Sequence, residues 1–145
     1  WNLMNDDKMF PESPLVCENR SEAFQRIGPG TSEDPYDFFA VDYWPCKYTE
    51  DADPVALRKA QADFALEHYA NGAEGGFRFI YPTSGGPRGD SPDFWISAAA
   101  PGLAARGKNI DIFRDKSYGS EAERERWNHM TCDRSSTWTG WPLHD

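Results

Sequence analysis

The chain has 145 residues, of which 39% are hydrophobic and 14% aromatic, and its formal net charge is −9 at pH 7. Such an acidic balance argues against nucleic acid or an anionic membrane as partner. No apolar run approaches the length needed to cross a membrane. The length suits one domain with a real core, built largely from rings. Eleven prolines and twelve glycines imply much irregular chain.

Residues 1–35 read as an irregular N-terminal arm, because Pro11, Pro14, Pro29, Pro35 and the knot Gly28-Pro29-Gly30 forbid a long element. Within it, Ser21 to Ile27 suits a two-turn helix. A start at Trp1 rather than methionine is expected of a processed chain, after removal of an N-terminal targeting segment. Residues 36–130 read as an α+β core domain, and residues 131–145 as a polar C-terminal tail carrying Trp138 and Trp141.

Tyr36 to Trp44 (YDFFAVDYW) predicts a strand with aromatics on both faces, ended by Pro45-Cys46. Asp53-Pro54 predicts a helix start. The carboxylate accepts from first-turn amides, and proline loses nothing at the first position. The run VALRKAQADFALEHYA continues it, and Asn71-Gly72 ends it. Lys59, Asp63 and Glu67 form a polar stripe. Leu57, Ala60 and Phe64 lie on one side of it and Val55, Ala62, Leu66 and Tyr69 on the other. That wide apolar arc predicts packing on more than one side.

Three strands are predicted next: Phe77–Tyr81, Asp93–Ala98 and Asn109–Phe113. Ser120-Glu121-Ala122-Glu123 opens a second helix with a capping-box pattern, anchored only by Trp127 and Met130. The fold expected is α+β: a small antiparallel sheet of about four strands packed against one main helix, with long irregular N- and C-terminal arms.

Three cysteines, Cys17, Cys46 and Cys132, fit one disulfide and one leftover thiol, with the pairing open. Asn19-Arg20-Ser21 is an N-glycosylation sequon, and Trp138-Thr139-Gly140-Trp141 has the spacing of tryptophan C-mannosylation. Both tilt the reading toward an extracytoplasmic place.

Candidate chemistry is sparse. His129, Cys132 and His144 offer zinc-type donors, but their spacing matches no standard zinc site. His68, close to the Leu57–Phe64 line and so expected to be partly buried, is a candidate general base, with Asp90, Asp93 or Asp111 to orient it; a structural histidine near a helix end is the simpler account. Arg88-Gly89-Asp90-Ser91-Pro92, on a glycine- and proline-rich turn, resembles the integrin-binding tripeptide of cell-adhesive fibronectin-type loops. That resemblance implies an adhesive loop; a tight turn with an Arg–Asp pair is the alternative.

The favoured reading is a non-enzymatic, extracytoplasmic interaction protein. It is an accessory or structural subunit docked on a larger protein assembly through its irregular ends, with no cofactor. Trp1, Phe10, Trp138 and Trp141 are the anchors, and Asp6 and Asp7 pair with basic partner residues. One alternative is a secreted α+β hydrolase or lyase using His68 or His129 with an aspartate such as Asp111. Another is a secreted module that binds sugar through exposed tryptophans or integrin through Arg88, Gly89 and Asp90.

Overall fold

A computed structural model describes residues 21–27, 37–84 and 91–141. Trp1, Asp6, Asp7, Phe10, Cys17, Asn19, Arg88, Gly89, Asp90 and His144 lie outside the described residues.

The elements in order are β1 (Ser21–Ile27), β2 (Phe39–Tyr48), α1 (Pro54–Ala70), β3 (Gly76–Ser84), β4 (Phe94–Ala100), α2 (Gly102–Ile112), a π-helical turn (Phe113–Ser117), α3 (Glu121–His129), β5 (Met130–Cys132) and β6 (Ser136–Gly140). All strand pairs are antiparallel, in the order β1-β3-β4-β2-β5, with β6 on the same edge of β2 as β5. The α+β class therefore holds. Among the described residues the sheet has six strands, where about four were expected, and α2 joins the expected helices α1 and α3.

Helix α1 begins and ends as its sequence predicts. The Asp53 carboxylate accepts from the amide of Val55 at 2.7 Å, with Pro54 behind it. At the other end Gly72 adopts φ +95°. Its amide donates to the carbonyl of Tyr69 at 2.9 Å, and that of Ala73 to His68 at 3.2 Å, which together close a Schellman cap. Leu57, Gln61, Phe64 and His68 recur at helical spacing and form its buried line. The helix packs on more than one side, on the sheet through Leu57, Phe64 and Ala65 and on α3 through Gln61 and Phe64 against Arg126, although Val55 and Leu66 stay 66% and 49% exposed.

The sheet face beneath α1 carries Phe77 and Phe79 from β3, Phe94 and Ile96 from β4, Cys46 from β2 and Met130 from β5. These join Leu57, Phe64 and Ala65 in one core. Phe79 meets Phe94 edge to face at 5.5 Å, and Phe94 meets Tyr48 at 4.8 Å. Each ring fully buried here contributes about 1.5–3 kcal/mol. Gly75 is the one residue that fits its place. A Cβ there would lie 1.8 Å from the carbonyl oxygen of Ala99, and φ is +121°.

Four expectations are corrected. Ser21–Ile27 forms the edge strand β1 on β3, not a helix. Seven residues nucleate a helix poorly, whereas β3 offers a ready ladder. The strand at Tyr36–Trp44 does not stop at Pro45 but runs on to Tyr48. The carbonyl of Cys46 accepts from Asp93, on the β4 side, while that of Pro45 accepts from Asp133, on the other side. The missing N–H of Pro45 thus falls between the β6 pairing, which ends at Tyr43, and the β5 pairing, which begins at Cys46.

Asn109–Phe113 is helical, not a strand. Arg106, Ile110 and Phe113 are spaced four and three apart and share one helical stripe, from which Arg106 reaches Asp42 of β2 and Phe113 packs on Phe64 of α1. Residues 131–145 are not simply a polar tail. Cys132 bonds Cys46, and Ser136–Gly140 pairs along Phe39–Tyr43 as β6.

The Cys46–Cys132 disulfide closes a separation of 86 residues. By loop entropy it stabilises the fold by about 4–5 kcal/mol. Replacing both cysteines by serine should lower the melting temperature by about 10 °C or more. Dithiothreitol should do the same to the unmodified chain. Equal melting temperatures with and without reductant would show that this crosslink does not restrain the unfolded chain.

Candidate functional site

Between the helices and the sheet lies a cavity of about 250 Å³. Its walls are chiefly apolar: Trp44, Phe64, Phe77, Ile96, Phe113 and Met130 are among them. The sheet supplies its floor through side chains that alternate toward one face, Trp44 on β2 and Ile96 and Ala98 on β4. Helix α1 supplies Phe64 and His68, α2 supplies Arg106 and Ile110, and α3 supplies Arg126 and Trp127.

Two polar groupings reach this apolar space. In the first, Asp42 of β2 is 6% exposed. It accepts from Arg106 Nε at 2.8 Å and 3.0 Å on its two oxygens, and from the hydroxyl of Thr137 on β6. Arg106 Nη2 also donates to Thr137 at 2.9 Å. One carboxylate thereby ties α2, β2 and β6 together, with its charge paired and its lone pairs engaged.

The second grouping joins α1, α3 and the π-helical turn. Arg126 is 9% exposed, and its guanidinium lies 3.9 Å from the ring centre of Phe64 and 4.7 Å from that of Trp127. Nη1 donates to Gln61 Oε1 at 3.3 Å, and Nη2 stands 3.9 Å from Glu123 Oε1. That Glu123 oxygen also takes the indole N–H of Trp127, and the other takes the amide of Gly119. Burial pushes the Arg126 guanidinium down to about 10, against the pull of Glu123; it remains charged at neutral pH. Arg126 Nε and Gln61 Nε2 are buried donors with no hydrogen-bond acceptor among the described residues.

His68 is 5% exposed, stacks on Phe64 at 5.6 Å and shares a hydrogen bond of 3.3 Å between Nδ1 and Ser117 Oγ. It lines the cavity and is buried, where its place on the Leu57–Phe64 line predicts partial burial. Its hydrogen bond goes to a serine rather than a carboxylate. Asp93 instead accepts from the amide of Tyr48, and Asp111 pairs with Arg114 on the exposed side of α2.

His129 stands elsewhere. Its Nδ1 accepts from the amide of Asp53 at 3.3 Å, and Nε2 lies 3.5 Å from Glu125. Cys132 is committed to the disulfide, so it offers no thiolate beside His129. No cluster of three or more metal-type donors is found among the described residues.

Trp138 and Trp141 are 62% and 69% exposed. Trp138 Nε1 donates to Ser136 on its own strand, and Trp141 packs on Phe38 with ring centres 5.3 Å apart.

Sequence reasoning missed Gln61, Arg126 and the Asp42–Arg106 pair. Gln61 was open to discovery, since it shares the helical line of Leu57, Phe64 and His68. Arg126 sits in a helix so polar that burial of a charged residue leaves no trace in composition.

The chain matches no protein-family model and no curated protein sequence.

His68 is held below its ordinary value near 6.5, first by burial and second by the charge of Arg126. The unfolded chain therefore takes up a proton near pH 6.5 that the folded chain resists. Stability is unaffected by this group well above pH 6.5 and falls as pH drops through and below it, by at most about 1.4 kcal/mol per pH unit. Melting temperatures taken from pH 7.5 to 5.5 should fall for the unmodified chain and fall less steeply for His68→Gln. Identical slopes would mean that His68 ionises freely when folded.

Proposed function

We propose that this chain is a non-enzymatic binding protein of an extracytoplasmic compartment, and that it takes a small, largely apolar molecule into the cavity between its helices and its sheet. The observation that carries this reading is the cavity itself, an aromatic-walled space inside a small domain, bounded by elements that are tied together on several sides. At roughly 30 Å³ per water it has room for about eight waters, or a molecule on the order of ten non-hydrogen atoms. The disulfide supports the compartment, because such bonds persist where the surroundings are oxidising. No helix among the described residues is long and apolar enough to cross a membrane.

The hydrolase or lyase reading draws less support. A catalytic histidine needs a reachable partner and substrate space around both. His68 touches the cavity, but its partner Ser117 is fully buried.

Trp44 and Trp127 line the cavity and serve as reporters. Titration with 2-phenylethanol should change tryptophan fluorescence saturably, with a dissociation constant on the order of 0.1–1 mM. Ala98→Leu, which places a larger side chain on the cavity floor, should weaken that binding about tenfold or more. An unsaturable response shared by both proteins would overturn the reading.

A second reading rests on a separate observation, the exposure of Trp138 and Trp141 at the β6 edge. On this reading the chain is an accessory subunit that docks on a larger assembly through that edge, where large rings serve as anchors. Native mass spectrometry of the gently extracted particle should then show a complex. Trp138→Ala with Trp141→Ala should leave folded monomer. A monomer in both cases would set the docking role aside.

A further inference from the structure

We infer that the molecule held in the cavity carries an anionic group, a carboxylate in its simplest form, and that Arg126 receives it. This rests on the proposed binding role of the cavity and names the chemical class of its ligand.

The argument begins with a cation that is buried and incompletely matched. Arg126 is nine-tenths buried and lines the cavity. A guanidinium taken from water needs both a counter-charge and acceptors for its five N–H groups. Its internal counter-charge, Glu123, stands at 3.9 Å, the outer limit of an ion pair. Both Glu123 oxygens take other donors, the Trp127 indole and the Gly119 amide. Gln61 supplies one acceptor at 3.3 Å. Arg126 Nε is left over, a buried donor with no acceptor among the described residues.

Donor surplus is what a site for an anion needs, and an unspent N–H donor on a positively charged group suits a carboxylate better than a neutral oxygen. The other charged groups that line the cavity are already matched. Asp42 holds Arg106 at 2.8 Å, and Glu74 holds Lys108 at 2.9 Å. Arg126 is therefore where an incoming negative charge gains most. Phe64 and Trp127 lie against the guanidinium and fix its plane, which keeps its donors in place. The apolar body of the ligand would lie against the rings of Phe77, Phe113 and Trp44. Aryl- and short alkyl-carboxylates fit this description. Sugars do not, since their hydroxyls would find few partners along those walls.

The test compares two probes of similar shape on the full chain, phenylacetate and 2-phenylethanol, by calorimetry at pH 7. Phenylacetate should bind at least about tenfold more tightly. Arg126→Gln should remove that preference while 2-phenylethanol still binds. Ala98→Leu should weaken both probes, since it fills the space and leaves Arg126 intact. Equal affinity for the two probes in the unmodified protein would overturn the inference and leave the binding role standing. Binding of neither probe would overturn both. The probe comparison in the unmodified chain decides the matter even if Arg126→Gln does not fold.

Discussion

The sheet depends on β2 being paired along both edges. On one edge β4 runs beside it from Ala40 to Cys46, and on the other β6 and β5 share its length. A central strand must satisfy two rows of backbone groups, yet β2 contains Pro45, which lacks one donor. The conflict is resolved by position: the missing N–H falls at the junction between β6 and β5, where neither strand offers a partner in the ladder. One residue further along, Cys46 bonds Cys132 and pins β5 to the same edge. Proline and disulfide together fix where one short strand stops and the other begins.

The same strand organises the polar interior. Asp42 points to the helical side of β2, beside apolar neighbours that give it nothing to bond. Arg106 reaches down from α2 and Thr137 across from β6, so the carboxylate is satisfied only when both elements are docked. An unpaired carboxylate at 6% exposure would cost several kcal/mol. Misplacement of α2 or β6 is thus penalised more steeply than loss of their apolar contacts alone would explain. Polar ties of this kind hold a helix over a cavity without filling it.

Legibility in the sequence followed the range of the interactions. Helix α1 was legible at both ends, because Asp53, Pro54 and Gly72 act on their immediate neighbours. The strands at Phe77 and Phe94 were legible through alternation. Asn109–Phe113 misled because Ile110 and Ile112 alternate locally, while the spacing that mattered was Arg106, Ile110 and Phe113 over two turns. Cys46–Cys132 and β6 were hidden for a different reason. Both depend on a strand about ninety residues away along the chain, as the separations in the register pairs make plain, and nothing local in STWTG announces a partner. His68 was read as partly buried from its helical line. Its neighbour Arg126 comes from α3, and no single-element pattern brings the two together.

The cavity is the consequence of these long-range ties. Three helical elements meet above the sheet, and each presents at least one polar side chain among its rings: His68 from α1, Arg106 from α2 and Arg126 from α3. A close-packed core would have replaced them with aliphatic groups of similar volume, which is often the more stable solution. Arg106 justifies its burial through Asp42. His68 does so through Ser117. Arg126 keeps its buried Nε donor unmet among the described residues. An unmet donor on a buried charge is hard to attribute to structural need, because a structural need is met by an acceptor. Arg126 borders an aromatic-walled space large enough for a small molecule, so the acceptor it lacks is best supplied from outside the chain.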